Sequence, residues 1–570
     1  MILQALKEYY DRKAADPDSG IAPLGWERKE IPYVIVLRED GTLVQLEDTQ
    51  ETVNKKKRAK PLLLPQGVKR SSGVAANLLW DNVEYITGIP CKGKPDRVAA
   101  QHAAFLARLG ELEGCPSIAP VRTFLSSPGF RERLAAEPAW SEAAATCAFL
   151  TFRITGHTVP VAREPDIIAR LDAPADLPDD AARCLVSGEP DAIADLHPAI
   201  KGVYGTNTTG GNIVSFNFPA ACSFGKTQGA NAPVGRRAAF EYTTALNTLL
   251  SKDSRQKMTV GDATAVFWSS RSTTLEDEFA AFFAEPPKDD PDRGTAAVER
   301  LLSSVHTGAW TTDPDPARFY VLGLAPNAAR ISVRFWHSGT VAEMSTRFAD
   351  WFENLRIVHG PRDREHLSLW RLLCSVAPLG KSENIPPNLA GALVRAILEG
   401  TPYPASLLAS AILRNKAERD IPYPRAKLLK AILNRNHERN LPVSLDKTNP
   451  DIGYRLGRLF AVLERIQQAA NPTLNATIRD RFYSSASSTP AAVFGNLMRL
   501  KNHHLAKLAK TAYFENLLGE ILDGVTTFPP HLTLPEQGMF AIGYYHQRQA
   551  FFAKKDPVPS DAAPSEPETI

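Results

Sequence analysis

The strand-like signals of this chain stop near residue 345, and that change of pattern constrains the fold more than any single motif. Before it, short alternating apolar runs sit between helical segments. After it, apolar residues recur every three or four positions as far as Lys555, the spacing of amphipathic helices. The pattern predicts an α+β protein, with a mixed α/β body over residues 1–345 followed by an all-helical region ending in an antiparallel bundle. In the body we expect a helix over Ile2–Ala15 and a hairpin in IPYVIVLREDGTLVQL, where Asp40-Gly41 supplies a positive-φ turn. Helices are expected at Arg97–Leu109 and Val234–Leu250, and strands at Cys147–Ile154, Ala263–Ser269 and on both sides of Pro326-Asn327.

The helical region divides in two. Residues 346–445 form a basic layer with a tandem echo: Tyr403-Pro404, Leu408 and Glu418-Arg419 recur as Tyr423-Pro424, Leu428 and Glu438-Arg439, which predicts two proline-started helices. Residues 446–555, after the polar break at Asp446–Pro450, are expected to form a bundle of helices at Ile452–Ala470, Leu474–Ser485, Pro490–Lys510, Tyr513–Leu522 and Leu534–Ala553. The end, 556–570, is acidic and proline-rich without large apolar residues, and is expected to be disordered.

A formal net charge of +3 is mild, so what matters is where positive charge collects. Lys55, Lys56, Lys57, Arg58, Lys60, Lys69 and Arg70 fall together with no acid among them, a field that a phosphate backbone feels, although a solvated loop reads the same way. Arg414, Arg419, Arg435 and Arg439 mark the tandem helices, and Arg455, Arg458, Arg479 and Arg481 the bundle. Cys91, Cys115, Cys147, Cys184, Cys222 and Cys374 never form a C-x-x-C pair, and His503-His504 and His359/His366 lack zinc-site spacing, so no metal or cofactor is expected. There is no G-x-S-x-G elbow and no His-Asp metal-nuclease cluster; the Asp and Glu are scattered, which leaves open a carboxylate pair assembled only by folding, so the residues themselves give catalysis no motive. No segment reaches the ~18 apolar residues of a membrane span, and no signal-peptide pattern opens the chain, so a cytoplasmic protein is expected.

Gly205–Leu250 sets a polar, glycine-broken loop against an amphipathic helix. Gly210 and Gly211 permit close backbone approach. Asn207, Thr208, Thr209, Asn212, Gln228 and Asn231 supply donors and acceptors, and Lys226 a cation, a set suited to phosphates and base edges. Ala220–Thr227 also satisfies a relaxed phosphate-loop pattern. Pro219 interrupts the strand such a loop needs, and Gly229 and Pro233 interrupt its helix, which argues against an ATPase at Lys226.

Together with GDATAVFW (Gly261–Trp268), YVLGLAPNAARISVRFW (Tyr320–Trp336) and the Trp80/Tyr85 segment beside the basic run, this loop resembles the large subunit of the type I-C CRISPR Cascade complex, from Met1 to about Lys555. The resemblance implies a non-catalytic antiviral-defence protein. It would recognise a short flank (PAM) in target duplex DNA, promote R-loop formation, hold the displaced single strand and recruit a helicase-nuclease. Implied partners are the guide crRNA, repeated backbone subunits, a crRNA-end subunit and small subunits.

Carried onto this chain, Asn207, Thr208, Thr209, Gly210, Gly211, Asn212, Lys226, Gln228 and Asn231 become the flank-reading set, and the basic residues above, with Arg236 and Arg237, the backbone contacts. Similar sequences carry Tyr where Phe224 stands and Ser-Glu where Gly235-Arg236 stands, so this helix start is expected to lack a cap and an acid. Type I-C systems also make a small subunit by internal translation. Residues 446–555 match such a piece, yet the methionines, at 1, 258, 344, 498 and 539, leave it no standard start. Two other classes compete: a free-standing single-strand nucleic-acid-binding protein and the Lys226 ATPase.

Overall fold

A computed structural model describes residues 1–53, 56–68, 70, 73–173, 177–216, 218–260, 263–283, 293–307, 316–328, 330–386 and 388–553. Two compact units emerge, one made of 1–202 and 207–251, the other of 203–206 and everything from 252 onward. The expected tail at 556–570 lies outside the described residues.

In the first unit the strand Tyr33–Leu37 is buried along its whole length because it is central to a four-stranded sheet. The strand Leu43–Asp48 pairs with it antiparallel through the Asp40-Gly41 turn, where Gly41 has φ +83°. On its other side the strand Phe149–Ile154 runs parallel, Tyr33 facing Leu150, and Trp80–Asn82 closes the sheet antiparallel. Phe105, Phe124, Phe130 and Leu134 from covering helices pack with Ile35, Leu150 and Phe152 in one apolar core. The helix Ile2–Ala14 lies on the helix Arg236–Leu249, with Tyr10 edge-on to Phe240 at 5.9 Å. That contact seats the C-terminal end of the glycine-broken loop on rigid structure.

The second unit begins with an antiparallel sheet in the order Lys257–Val260, Ala263–Ser269, Arg318–Asn327 and Arg330–Thr340. Trp268, Tyr320 and Trp336 stack across its strands at 5.4–5.7 Å. The strands end at Thr340 for a local reason. Its hydroxyl accepts from Glu343 N (3.1 Å) while the Glu343 carboxylate accepts from Thr340 N (2.9 Å), a reciprocal cap that starts the helix Val341–Leu355. The proline-started pair follows as Ala405–Glu418 and Tyr423–His437. The bundle then comprises Ile452–Ala470, Ile478–Ala486, Pro490–Leu505, Ala512–Leu522 and Leu534–Ala550. The second of these starts later than expected because Thr477 and Asp480 form its capping box.

The molecule is α+β, with an N-terminal sheet region and a helical C-terminal region. The apolar core of the second unit runs from Met258 to Tyr545 and crosses both 345 and 445, so the unit division does not follow the composition shifts at those positions. The last helix shows why. It packs on Ile452–Ala470 within the bundle, but Gly538 also lies beside Leu408 and Leu433 of the proline-started pair, and Tyr545 OH donates to Val358 O at 2.8 Å.

Candidate nucleic-acid interface

Two turns, both within the first unit, carry the exposed part of the loop. In the first, Gly210 N donates to Asn207 O (2.9 Å) and leaves Asn207, Thr208 and Thr209 in solvent. Gly210 has φ +84°, and a Cβ there would come within 3.0 Å of Ile200 O. Gly211 exchanges both backbone hydrogen bonds with Ile200 (2.8 and 2.9 Å). The close approach that the glycine pair allows is therefore made to Ile200 rather than to a ligand. Asn212 is likewise internal, its Nδ2 donating to His197 O (3.0 Å) and Pro198 O (3.1 Å).

In the second turn Lys226 N donates to Ser223 O (3.0 Å), and the two central residues, Phe224 and Gly225, both have positive φ (+54° and +69°). Asn231 ties this turn together. Its Oδ1 accepts from Ser223 N (3.0 Å), and its Nδ2 donates to Lys226 O (3.3 Å) and Gln228 O (3.1 Å). Gly229 is buried against Ala194 O so closely that no Cβ fits, which anchors the base of the turn. Lys226 is exposed and Gln228 is half-buried, with an Oε1 that has no hydrogen-bond partner among the described residues.

Among the described residues no strand enters Ala220–Thr227 and no helix leaves it. Short 3-10 turns flank Lys226, and the helix begins only at Arg236. This is not a phosphate loop. That helix start is capped after all, by tertiary structure: Asp191 Oδ2 accepts from Arg237 N at 3.0 Å, and Asp191 sits where a Cβ on Gly235 would be. A Ser at 235 would collide with the residue that does the capping.

The basic residues separate by partner. Lys55 and Lys69 lie outside the described residues, and Lys56–Arg58 is a short strand paired with Glu51–Val53. Lys57 reaches Glu142 (2.6 Å) and Arg58 reaches Glu30 (3.3 Å), whereas Lys60 is exposed. Arg70 is structural: it pairs with buried Asp81, donates to Ala75 O (2.6 Å) and lies 4.1 Å over the Tyr85 ring. Arg236 and Arg237 are both exposed, and Arg237 also reaches the buried Glu241 at 2.8 Å.

In the second unit Arg414 and the buried Arg425 share Glu418, and Arg435 lies 4.6 Å over the Tyr403 ring. Arg439 pairs with Asp451 (3.3 Å), Arg455 donates to Asn449 O (2.9 Å) and Arg479 to Asp420 (3.0 Å). Arg458, expected on a solvated face, is completely buried on Glu520 (2.5 Å). Arg419 and Arg481 are exposed. Arg414 and Arg458 are thus drawn into internal contacts, whereas Lys57, Arg58, Arg237 and Arg439 each meet an acid while their side chains stay exposed.

Lys427, on the same proline-started helix, is buried 4.6 Å from the Tyr423 ring, and loss of hydration takes its pKa down to about 7. The native state sheds this proton near pH 7 and the unfolded chain only near the ordinary lysine value. Stability conferred by the neutral form therefore grows as pH rises from 7 toward 10.5, with a slope of at most about 1.4 kcal/mol per pH unit. Denaturant melts of Lys427→Met are expected to show higher stability at pH 7 and to lack this rise. A wild-type-like pH profile in the variant would contradict the assignment.

No helix among the described residues is long and apolar enough to cross a membrane, and no three His, Cys, Asp or Glu side chains gather as a metal site. A family of CRISPR-associated proteins, Cas_Csd1, matches residues 6–552, and the chain belongs to that family. No curated protein matches it.

Proposed function

We propose that this protein is the non-catalytic large subunit of a type I-C Cascade complex in the cytoplasm, which reads the flank of its target in duplex DNA. The observation that carries the reading is the turn at Ser223–Lys226, clamped by Asn231 and Gly229, which presents Lys226 to solvent in a chain of a CRISPR-associated family. A guide RNA reads a long target by base pairing, so its protein partner needs only a few well-placed groups for a short flank. Lys226, Asn207, Thr208 and Thr209 are such groups. Asn231, Gly210, Gly211 and Asn212 position them.

The exposed cations Lys60 and Arg236 in one unit, and Arg419 and Arg481 in the other, suit sequence-tolerant contacts to a displaced strand. Guide RNA, backbone and small subunits and a helicase-nuclease complete the assembly. In the assembled complex, Lys226→Ala or Asn231→Ala is expected to weaken binding of duplex with the correct flank by about 1–3 kcal/mol, the scale of a good base-edge contact. Binding of single-stranded target, which has no duplex flank, is expected to stay unchanged. Equilibrium binding of labelled duplexes measures this, and wild-type affinity in both variants would make the loop merely structural.

A further inference from the structure

We propose that Phe224 is a stacking finger, its ring covering the face of the first base freed when the duplex opens beside the flank. The inference rests on the flank-reading proposal and deepens it. The Phe224 side chain is 98% exposed, at the tip of the clamped turn. An exposed aromatic is not diagnostic alone, but the backbone here adds a second observation. Phe224 has φ +54°, a conformation that suits Gly or Asn and disfavours residues with bulky side chains. A turn of this shape needs no ring for its own stability, and this ring buries nothing within the chain.

The turn holding it is rigid by construction. Asn231 binds the backbone before and after the tip, and Gly229 is pinned against Ala194 O. The ring is therefore presented in one place at little further ordering cost.

The surroundings decide what the ring meets. Ser223, Gly225, Lys226 and Thr227 around it are all exposed and small or polar. A protein partner's docking face calls for a contiguous apolar patch, which a single ring amid polar residues does not make. A nucleotide offers the complement instead, a flat base for the ring, freed next to the flank that Lys226, two residues on, reads. Base–aromatic stacking beside a cation is the usual means of holding an unpaired strand without reading it, and an inserted apolar side chain also favours unstacking of the duplex.

The test measures association rates of the assembled complex, without helicase-nuclease, on flank-bearing duplex that is fully paired or mismatched over its first three target positions. Phe224→Asn suits the turn and removes the ring. It is expected to slow association with paired duplex about tenfold while leaving the mismatched duplex within about twofold, since opening no longer limits that reaction. Phe224→Tyr is expected to match the wild type. If Phe224→Asn associates normally with paired duplex while Lys226→Ala fails on it, the finger is disproved and flank reading stands. If neither substitution matters, both fall together. Equal slowing on both duplexes, or failure of Phe224→Asn to join the complex, would assign the ring to another subunit and overturn the proposal.

Discussion

Gly457→Ala is expected to lower the stability of the second unit by about 3 kcal/mol, against the usual direction of this substitution. In an exposed helix interior, Gly to Ala stabilises by up to about 1 kcal/mol, because alanine loses less backbone freedom on folding. Gly457 sits inside the helix Ile452–Ala470, but a Cβ there would lie within 3.0 Å of Phe540 O, and one at Gly543 within 3.0 Å of Tyr454 O. These are backbone atoms of the two central bundle helices, so no side chain can rotate away and the helices must separate. Overpacking outweighs propensity. Gly495→Ala supplies the control, since nothing lies within 4 Å of a Cβ there and the ordinary gain of about 0.5–1 kcal/mol is expected. Denaturant melts of the two variants should move in opposite directions; a neutral Gly457→Ala would refute the close helix crossing.

Arg458→Ala is expected to cost about 2–5 kcal/mol, because the truncation leaves a cavity and takes the donor from Gln547 Oε1 and Lys447 O, whereas Glu520, partly exposed and also paired with Lys447, stays solvated. Arg458 donates to Glu520 (2.5 Å), to Lys447 O (3.1 Å) and to Gln547 Oε1 (3.2 Å), and it is 0% exposed. Arg458→Met, which keeps volume without charge, is expected to lose less. The salt dependence of nucleic-acid binding is expected to be unchanged in whatever folded complex the variants form, since a buried guanidinium releases no counterions. Exposed Arg481→Gln should leave stability within about 0.5 kcal/mol. A flattened salt dependence with unaltered stability in Arg458→Met would reverse the assignment.

What could be read from the residues alone follows the range of the physics behind it. The Asp40-Gly41 hairpin, the strand Ala263–Ser269 and the paired helices marked by Pro404 and Pro424 rest on periodicity and turn chemistry within a few residues, and each forms close to where it is expected. The partners of charged groups do not announce themselves. Arg458 and Glu520 are 62 residues apart, and Arg237 N finds its Asp191 cap 46 residues earlier. A basic helix face and a buried ion-pair network have the same sequence signature, so the arginines of the tandem helices and bundle read as solvated when many are internal. Within the loop, its polar character and Lys226 were legible. The structural use of Gly210 against Ile200, the clamp made by Asn231 and the presentation of Phe224 depend on backbone angles and contacts that residue types do not specify.

The most direct measurement compares the guide-loaded complex assembled with and without this chain, on single-stranded target and on duplex with correct or altered flank. With the chain present, correct-flank duplex is expected to bind about tenfold or more tightly than altered-flank duplex. Without it, single-stranded target should still bind by pairing with the guide while flank discrimination disappears. Retention of flank discrimination by the complex lacking this chain would contradict its role as the flank-reading subunit.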